Sequence, residues 1–540
     1  MPLQSALSFT TLITLLWLSL PSEGFAQTQS TAPATPRVIA ADLSRTNGPL
    51  NTAFKVFVGA GRANEGLRAD WQRQLRYVHR QCGFTYIRMH GLFTDDMGVY
   101  REDKAGNPEY NWQYIDELYD FLQSIGMKPF VELSFMPRAL AAGHQTIFWW
   151  NGIVNQPRDL SKWGNFIRAF VQHVRDRYGD DELKTWYFEV WNEPNLSGFF
   201  AGTQSNYFNL YAETARAVKS VSPAYRVGGP ATAGCAWVPP FIRFCVSNQV
   251  PVDFISTHTY AVDQGYLDES GSRGTVLSSN PKSIYGDVQS VRHQIQTSAL
   301  PNLELHFTEW SASYTPSDPI HDSYHSAAFI VDRLRKTGNA ANSMSYWTFT
   351  DIFEEAGPRW TPFHGGFGLL NYQDIAKPAF YAYQFLNKLG PIELQSSDPS
   401  SWICKDNNGG IQALIWDFTY IHPDKGENNQ VYYKRDLPAG KKGAVRLELS
   451  HVAPGRYGLA CYRIGYRAND AYSTYLDLGS PNQLTRVQVD YIKAVNSGAP
   501  ELQTLVTIGE DGRLQREFDL RANDLVLITL TRLTDTPPGP

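Results

Sequence analysis

Between about residues 52 and 385, short apolar runs alternate with longer segments whose apolar positions recur three and four residues apart. The short runs are Val56 to Val58, Tyr86 to His90, Pro129 to Leu133, Trp186 to Trp191, Arg226 to Gly228, Phe254 to His258, Glu304 to Glu309 and Ser345 to Phe349. Between them lie helical patterns such as Ala69 to Gln81, Tyr114 to Ile125, Leu160 to Tyr178, Asn206 to Val221 and Tyr324 to Thr337. Strands alternating with helices predict a parallel sheet. Eight strands in a segment of this length suit a (β/α)8 barrel. A doubly wound sheet gives the same alternation, and the positions of the polar residues decide between them.

After about residue 390 the helical period fades. Ile411 to Phe418, Ala444 to Leu449, Arg456 to Arg463, Gln503 to Gly509 and Leu525 to Leu530 read as strands separated by Gly, Pro and Asn turns, with one possible helix at Leu484 to Val495. This predicts a C-terminal antiparallel β-sandwich packed on the barrel. The division expected is a leader at 1–26, a flexible segment and leading strand at 27–51, the barrel at 52–385, the sandwich at 386–533 and a disordered tail at 534–540.

The leader rests on the apolar run Leu12 to Leu20 and the small residues of Gly24-Phe25-Ala26, where a signal peptidase would cut. No Lys or Arg precedes the run, a departure from the usual pattern. It is shorter than the about 20 residues a membrane span needs, so the expectation is export to the periplasm or medium with no span after cleavage. Gln27 to Pro36 reads as flexible. A net charge of −5 in 540 residues gives no electrostatic case for nucleic acid. The five cysteines, Cys82, Cys235, Cys245, Cys404 and Cys461, lack metal-ligand spacing, so no metal is expected. Outside the cytoplasm, Cys235 with Cys245 and Cys404 with Cys461 are the pairings to consider.

Polar residues recur at the C-terminal ends of the expected strands, where a barrel carries its chemistry. Phe188-Glu189-Val190-Trp191 runs into Asn192-Glu193-Pro194, and Leu305-His306-Phe307-Thr308 ends on Glu309. Ser256-Thr257-His258-Thr259-Tyr260 lies between them, and Tyr346-Trp347-Thr348-Phe349 is followed by Glu354 and Glu355. Glycosidic cleavage needs two facing carboxyl groups: a protonated one to release the leaving oxygen and an ionised one to attack the anomeric carbon. About 5–5.5 Å between them implies retention, and a wider gap implies inversion.

A strand-terminal Glu between Asn and Pro resembles the acid/base of the retaining (β/α)8 glycosidases, whose nucleophile ends strand seven. The resemblance narrows to glycoside hydrolase family 39, which includes β-xylosidases and α-L-iduronidases. It is carried by Ile87-Arg88-Met89-His90-Gly91, Trp191-Asn192-Glu193-Pro194-Asn195-Leu196, His258-Thr259-Tyr260, Phe307-Thr308-Glu309-Trp310, Tyr346 to Asp351, Phe363 to Gly368, and Tyr466 to Pro481. It implies Glu193 as acid/base, Glu309 as nucleophile, Asn192 as donor to the neighbouring sugar hydroxyl, and Tyr260 as a contact of the nucleophile. It also implies His90, His258, Trp347, Glu354 and Glu355 as pocket residues. Arg88 and Glu189 are expected as a buried ion pair beneath the catalytic pair, and Trp149 and Trp150 as a rim or as loop packing.

Carboxylates at Glu354 and Glu355 would accept bonds from hydroxyls and repel a uronate, which favours a neutral sugar, although Arg359 is close enough in sequence to keep the uronate reading open. The expectation is therefore a cofactor-free, retaining exo-β-xylosidase releasing xylose from xylo-oligosaccharides. The alternatives are α-L-arabinosidase, α-L-iduronidase-like or endo-acting hydrolase activity, or a carbohydrate-binding protein without catalysis. A homo-oligomer is left open.

Overall fold

The computed structural model describes residues 35–267, 273–419, 429–434 and 437–533. The expected leader, nearly all of the segment Gln27 to Pro36, and the tail Thr534 to Pro540 lie outside the described residues. The described residues from Pro36 onward pack as one compact unit.

Eight parallel strands close into a barrel: β1 (Phe57–Arg62), β2 (Tyr86–His90), β3 (Lys128–Leu133), β4 (Tyr187–Val190), β5 (Arg226–Thr232), β6 (Phe254–Tyr260), β7 (Glu304–Ser311) and β8 (Ser343–Tyr346). Each pairs with its neighbours in chain order, and β8 returns to β1. The strands are nearly continuous apolar runs because both faces of a parallel sheet are covered. Helix Leu160–Tyr178 falls where its periodicity predicts it, with the Asp159 side chain accepting from the Ser161 and Lys162 amides at its start. Helix Gln204–Val221 opens on a capping box between Thr203 and Asn206.

One end of the barrel is plugged. Phe57, Tyr187 and Phe254 open their strands and pack ring on ring with Phe130 and His306. The plug leaves the opposite end, where the strands finish, as the place for a site.

β8 ends earlier than the sequence suggests, at Tyr346 rather than Phe349. The chain leaves the ladder to carry the Trp347 ring across Gly59 of β1. A β-carbon at Gly59 would lie 2.3 Å from Trp347 Cε3. Only glycine lets the indole lie that close.

The C-terminal region is one nine-stranded sheet folded around its own core. Its strands are β9 (Ile392–Ser396), β10 (Ser401–Lys405), β11 (Ile411–Trp416), β12 (Lys441–Ser450), β13 (Gly455–Ile464), β14 (Leu502–Ile508), β15 (Leu514–Arg521) and β16 (Leu525–Arg532). The ninth is the leading strand Arg37–Pro49, antiparallel to β9 and parallel to β12. That one parallel pairing makes the sheet mixed. Side chains alternate along it as strand geometry requires. Ile403, Ile415, Leu447, Tyr457 and Val526 face the inner core. Trp402, Cys404, Leu414, Trp416 and Leu525 face the other way and join the core of the barrel.

This alternation corrects one expected disulfide. Cys404 and Cys461 point to opposite faces of the sheet. Their strands β10 and β13 are separated by β11 and β16, about 14 Å at ordinary strand spacing, and a disulfide needs Cα atoms within about 7 Å. The Cys235 and Cys245 pairing is also not formed. Cys235 turns its sulfur toward the His258 carbonyl at 3.6 Å, while Cys245 is buried on helix Val238–Ser247. All five cysteines are free thiols.

Candidate active site

At the open end of the barrel lies a cavity of about 620 Å³. Its lining includes His90, Asn192, Glu193, Tyr260, Glu309, Trp347 and Glu355, seven of the nine residues singled out from the sequence. Glu193 follows β4 and Glu309 lies on β7, near the C-terminal end of each strand. One carboxylate oxygen of each, together with a ring nitrogen of His258, all lie within 4.8 Å of one another. That spacing fits the about 5–5.5 Å of retaining enzymes better than the about 6.5–9.5 Å of inverting ones.

The backbone that presents Glu193 is strained. Trp191 and Glu193 take φ of +73° and +45°, a region that residues with a side chain rarely occupy. Neighbours hold the turn in place: the Glu193 amide donates to the Ala231 carbonyl at 2.8 Å, and the Trp191 indole donates to Phe199 O at 2.8 Å.

Electrostatics separates the two glutamates. Glu309 Oε1 accepts from Arg88 Nη1 at 2.8 Å, and its Oε2 accepts from the Tyr260 hydroxyl at 2.8 Å. A guanidinium on one oxygen and a phenol on the other hold this carboxylate in place and aim it. Among the described residues, no Lys or Arg is in contact with Glu193. Burial pushes its carboxyl up to about 7; His90 and Arg88 oppose the rise and Glu132 adds to it.

The protons beneath Glu193 can be traced. Thr308 Oγ1 donates its one proton to Glu189 Oε1 at 2.8 Å. At the 3.2 Å contact between His258 Nε2 and Thr308 Oγ1, the ring nitrogen must therefore be the donor. Burial lowers the His258 pKa to about 4, so the ring is neutral and carries its one proton on Nε2. Nδ1 is then a bare acceptor, 2.9 Å from Glu193 Oε1. An acceptor there suits Glu193 in its acid form.

Arg88 is the hub under the cavity. Besides Glu309 it contacts Glu189 at 2.5 Å, Glu132 at 2.8 Å and Asn192 Oδ1 at 3.0 Å. With its oxygen taken by Arg88, Asn192 is left to donate its amide NH2 into the cavity. The sequence anticipated the Arg88–Glu189 pair. It did not bring out Glu132, which ends no motif; Glu132 also takes His90 Nδ1 at 2.7 Å. That bond turns His90 Nε2 toward Glu309 and Glu355, 3.6 Å from each. Burial raises the Glu355 carboxyl well above its ordinary range, and the nearby Glu309, Glu65 and Glu193 add to the rise.

Two expected pocket residues are placed differently. His258 is fully buried beneath Glu193 and positions it from below. Glu354 lies outside the lining, its carboxylate held by Arg62 and Arg68 at 2.9 Å each. The expected pair of cavity carboxylates is therefore Glu355 alone, because adjacent residues in this turn point to different sides. Arg359 reaches the Pro316 carbonyl at 3.2 Å. The Trp149 amide anchors the Glu355 carbonyl at 2.8 Å. Leu196, which closes the Trp191 to Leu196 motif but takes no role from it, lines the cavity, and so do Phe199 and Tyr314, to which no motif points; single apolar residues in loops carry no signal of their own.

Glu193, His258 and Glu309 are also spaced as three metal ligands could be. Arg88, at 2.8 Å from Glu309, brings a fixed positive charge to that position, which opposes a cation. Among the described residues, no helix is long and apolar enough to cross a membrane.

A closed barrel whose strand ends hold a carboxyl with a raised pKa and a second carboxyl facing it at this separation defines a glycosidase. The model of the family "Glycosyl hydrolases family 39" matches residues 37–515, and the chain belongs to that family. It is 37% identical over 489 residues to a β-xylosidase of Geobacillus stearothermophilus, covering 89% of this chain and 93% of that protein. A solved GH39 enzyme from Xanthomonas axonopodis pv. citri superposes with a TM-score of 0.90 at 43% identity, covering 94% of this chain and all of that one. A monomeric β-xylosidase from Caulobacter crescentus CB15 gives 0.89 at 44% identity, covering 92% of this chain and all of that one.

Proposed function

We propose that the protein is an exported, retaining exo-β-xylosidase that frees xylose from the non-reducing ends of xylo-oligosaccharides by double displacement. The observation that carries the mechanism is the approach of Glu193 and Glu309 to within 4.8 Å. Glu309, held and aimed by Arg88 and Tyr260, attacks the anomeric carbon. Glu193 gives its proton to the leaving oxygen and then, as a carboxylate, takes one from the water that attacks the same carbon and releases Glu309 as a carboxylate. Asn192 donates to the hydroxyl next to the reacting carbon. The buried His90 and Trp347 close the inner end of the cavity, which favours action at a chain end. The likeness to two β-xylosidases, each covering most of this chain, supports xylose as the sugar.

Azide tests the roles. Glu309→Ala should yield the α-glycosyl azide from an aryl β-xyloside, and Glu193→Ala the β-azide. Exchanged products would reverse the assignment, and an α-configured methyl xyloside as first product in methanol would sink retention. A panel of aryl β-xyloside, α-L-arabinoside, β-glucoside and α-L-iduronide tests the sugar. Export rests on the run Leu12 to Leu20 and the site at Gly24-Phe25-Ala26. Mass spectrometry of the protein from the periplasm or medium should find it beginning at Gln27; an uncleaved cytoplasmic chain would refute it.

A further inference from the structure

The cavity is two-sided. His90, Trp347 and Glu355 come from β2, the end of β8 and the loop beyond it, strands that flank β1. Across the Glu193–Glu309 pair, the lining is Leu196, Phe199, Ala233, Val262 and Tyr314, from the loops that follow β4, β5, β6 and β7. Among the described lining residues, this second side has no charged side chain. Its one amide, Asn195, is engaged at both ends by the Ala233 backbone, at 2.9 and 3.1 Å. Leu196 and Tyr314 are 41% and 48% exposed, so the apolar wall reaches the mouth.

Chemistry assigns the occupant of this side. Glu193 must protonate the leaving oxygen, so the leaving group lies next to the turn that follows Glu193. That turn carries Leu196, whose amide donates to the Glu193 carbonyl at 3.0 Å, and then Phe199. A second sugar would bring several hydroxyls against side chains that offer few partners, and an unpaired polar group costs free energy when it is covered. An alkyl or aryl group loses nothing there and gains from leaving water.

We infer that the leaving-group side of the cavity selects apolar aglycones, so that β-xylosides of aliphatic alcohols and phenols are better substrates than a second xylose unit. The inference rests on the xylosidase reading for the sugar and extends it to the group that departs.

The test uses methyl, butyl and hexyl β-xylosides, whose leaving alcohols differ little in acidity, alongside xylobiose. The value of kcat/KM should rise about tenfold from methyl to hexyl, a fraction of what full burial of each methylene would give, and hexyl xyloside should exceed xylobiose. Leu196→Asn and Tyr314→Asn should each flatten the rise. Both positions are exposed, so a thermal melt should match the parent. A flat series in the parent enzyme, or xylobiose preferred to hexyl xyloside, would overturn the inference. If every β-xyloside is inert, the sugar assignment has failed instead. The same alkyl series, built on whichever glycoside is hydrolysed, then tests the wall by the same rise or its absence.

Discussion

At the scale of single residues, the proton on Glu193 controls the reaction, and three side chains behind it control the proton. Burial lifts the Glu193 carboxyl to about 7, so its acid form persists through the mildly acidic range and is lost as the pH rises past that value. The rate should follow, with kcat/KM on unactivated xylosides falling above about pH 7; a profile that stays flat well into the alkaline range would contradict it. Thr308 sets which nitrogen of His258 is protonated, because its own proton goes to Glu189. Thr308→Val removes that acceptor and frees the ring to carry its proton on Nδ1, facing Glu193. A donor there favours the carboxylate, so the alkaline limb should move down by about one pH unit. Serine at the same place should restore it, which a purely structural role for Thr308 would not require.

At the scale of elements, the sequence was most legible where one strand or helix explains itself. Glu193 and Glu309 could be located because apolar runs ending on a polar residue mark the functional end of a barrel strand. What stayed hidden depends on partners far along the chain. Glu354 looks like a sugar ligand until Arg62 and Arg68 are seen to hold it. Glu132 looks like any strand residue until Arg88 and His90 converge on it. The leading strand Arg37–Pro49 gives no hint that it will pair with strands that lie beyond the whole barrel in the chain. Gly59 is the same kind of case, a small residue whose meaning lies in the ring across from it. In Gly59→Ala the added carbon would sit 2.3 Å from Trp347, so the indole must shift. Overpacking of this kind costs about 1–3 kcal/mol. The displaced ring should raise KM for xylosides several-fold while circular dichroism remains that of the parent. An unchanged KM would mean that Trp347 does not shape the sugar subsite.

At the scale of the whole molecule, barrel and sheet share one hydrophobic core. Trp402, Cys404, Leu414, Trp416, Ile464, Leu525 and Leu527 belong to the sheet, yet they lie in the same buried cluster as the barrel helices. Arg335 of the barrel meets Glu393 of the sheet at 2.8 Å, and Phe54 packs edge-on against Trp402. The leading strand adds a topological reason for interdependence. It precedes the barrel in the chain but lies between β9 and β12, so the sheet cannot be completed by the residues after the barrel alone. A fragment of residues 52–385 would therefore expose the apolar surface that these side chains cover. At about 1.5–3 kcal/mol for each large apolar side chain returned to water, that loss rivals the about 5–15 kcal/mol by which a native fold is stable. The fragment should be recovered as insoluble or aggregated protein, and the intact chain should melt in a single calorimetric transition. Two resolved transitions, or a soluble fragment that cleaves an aryl xyloside, would mean that the barrel stands alone and the sheet is an appendage.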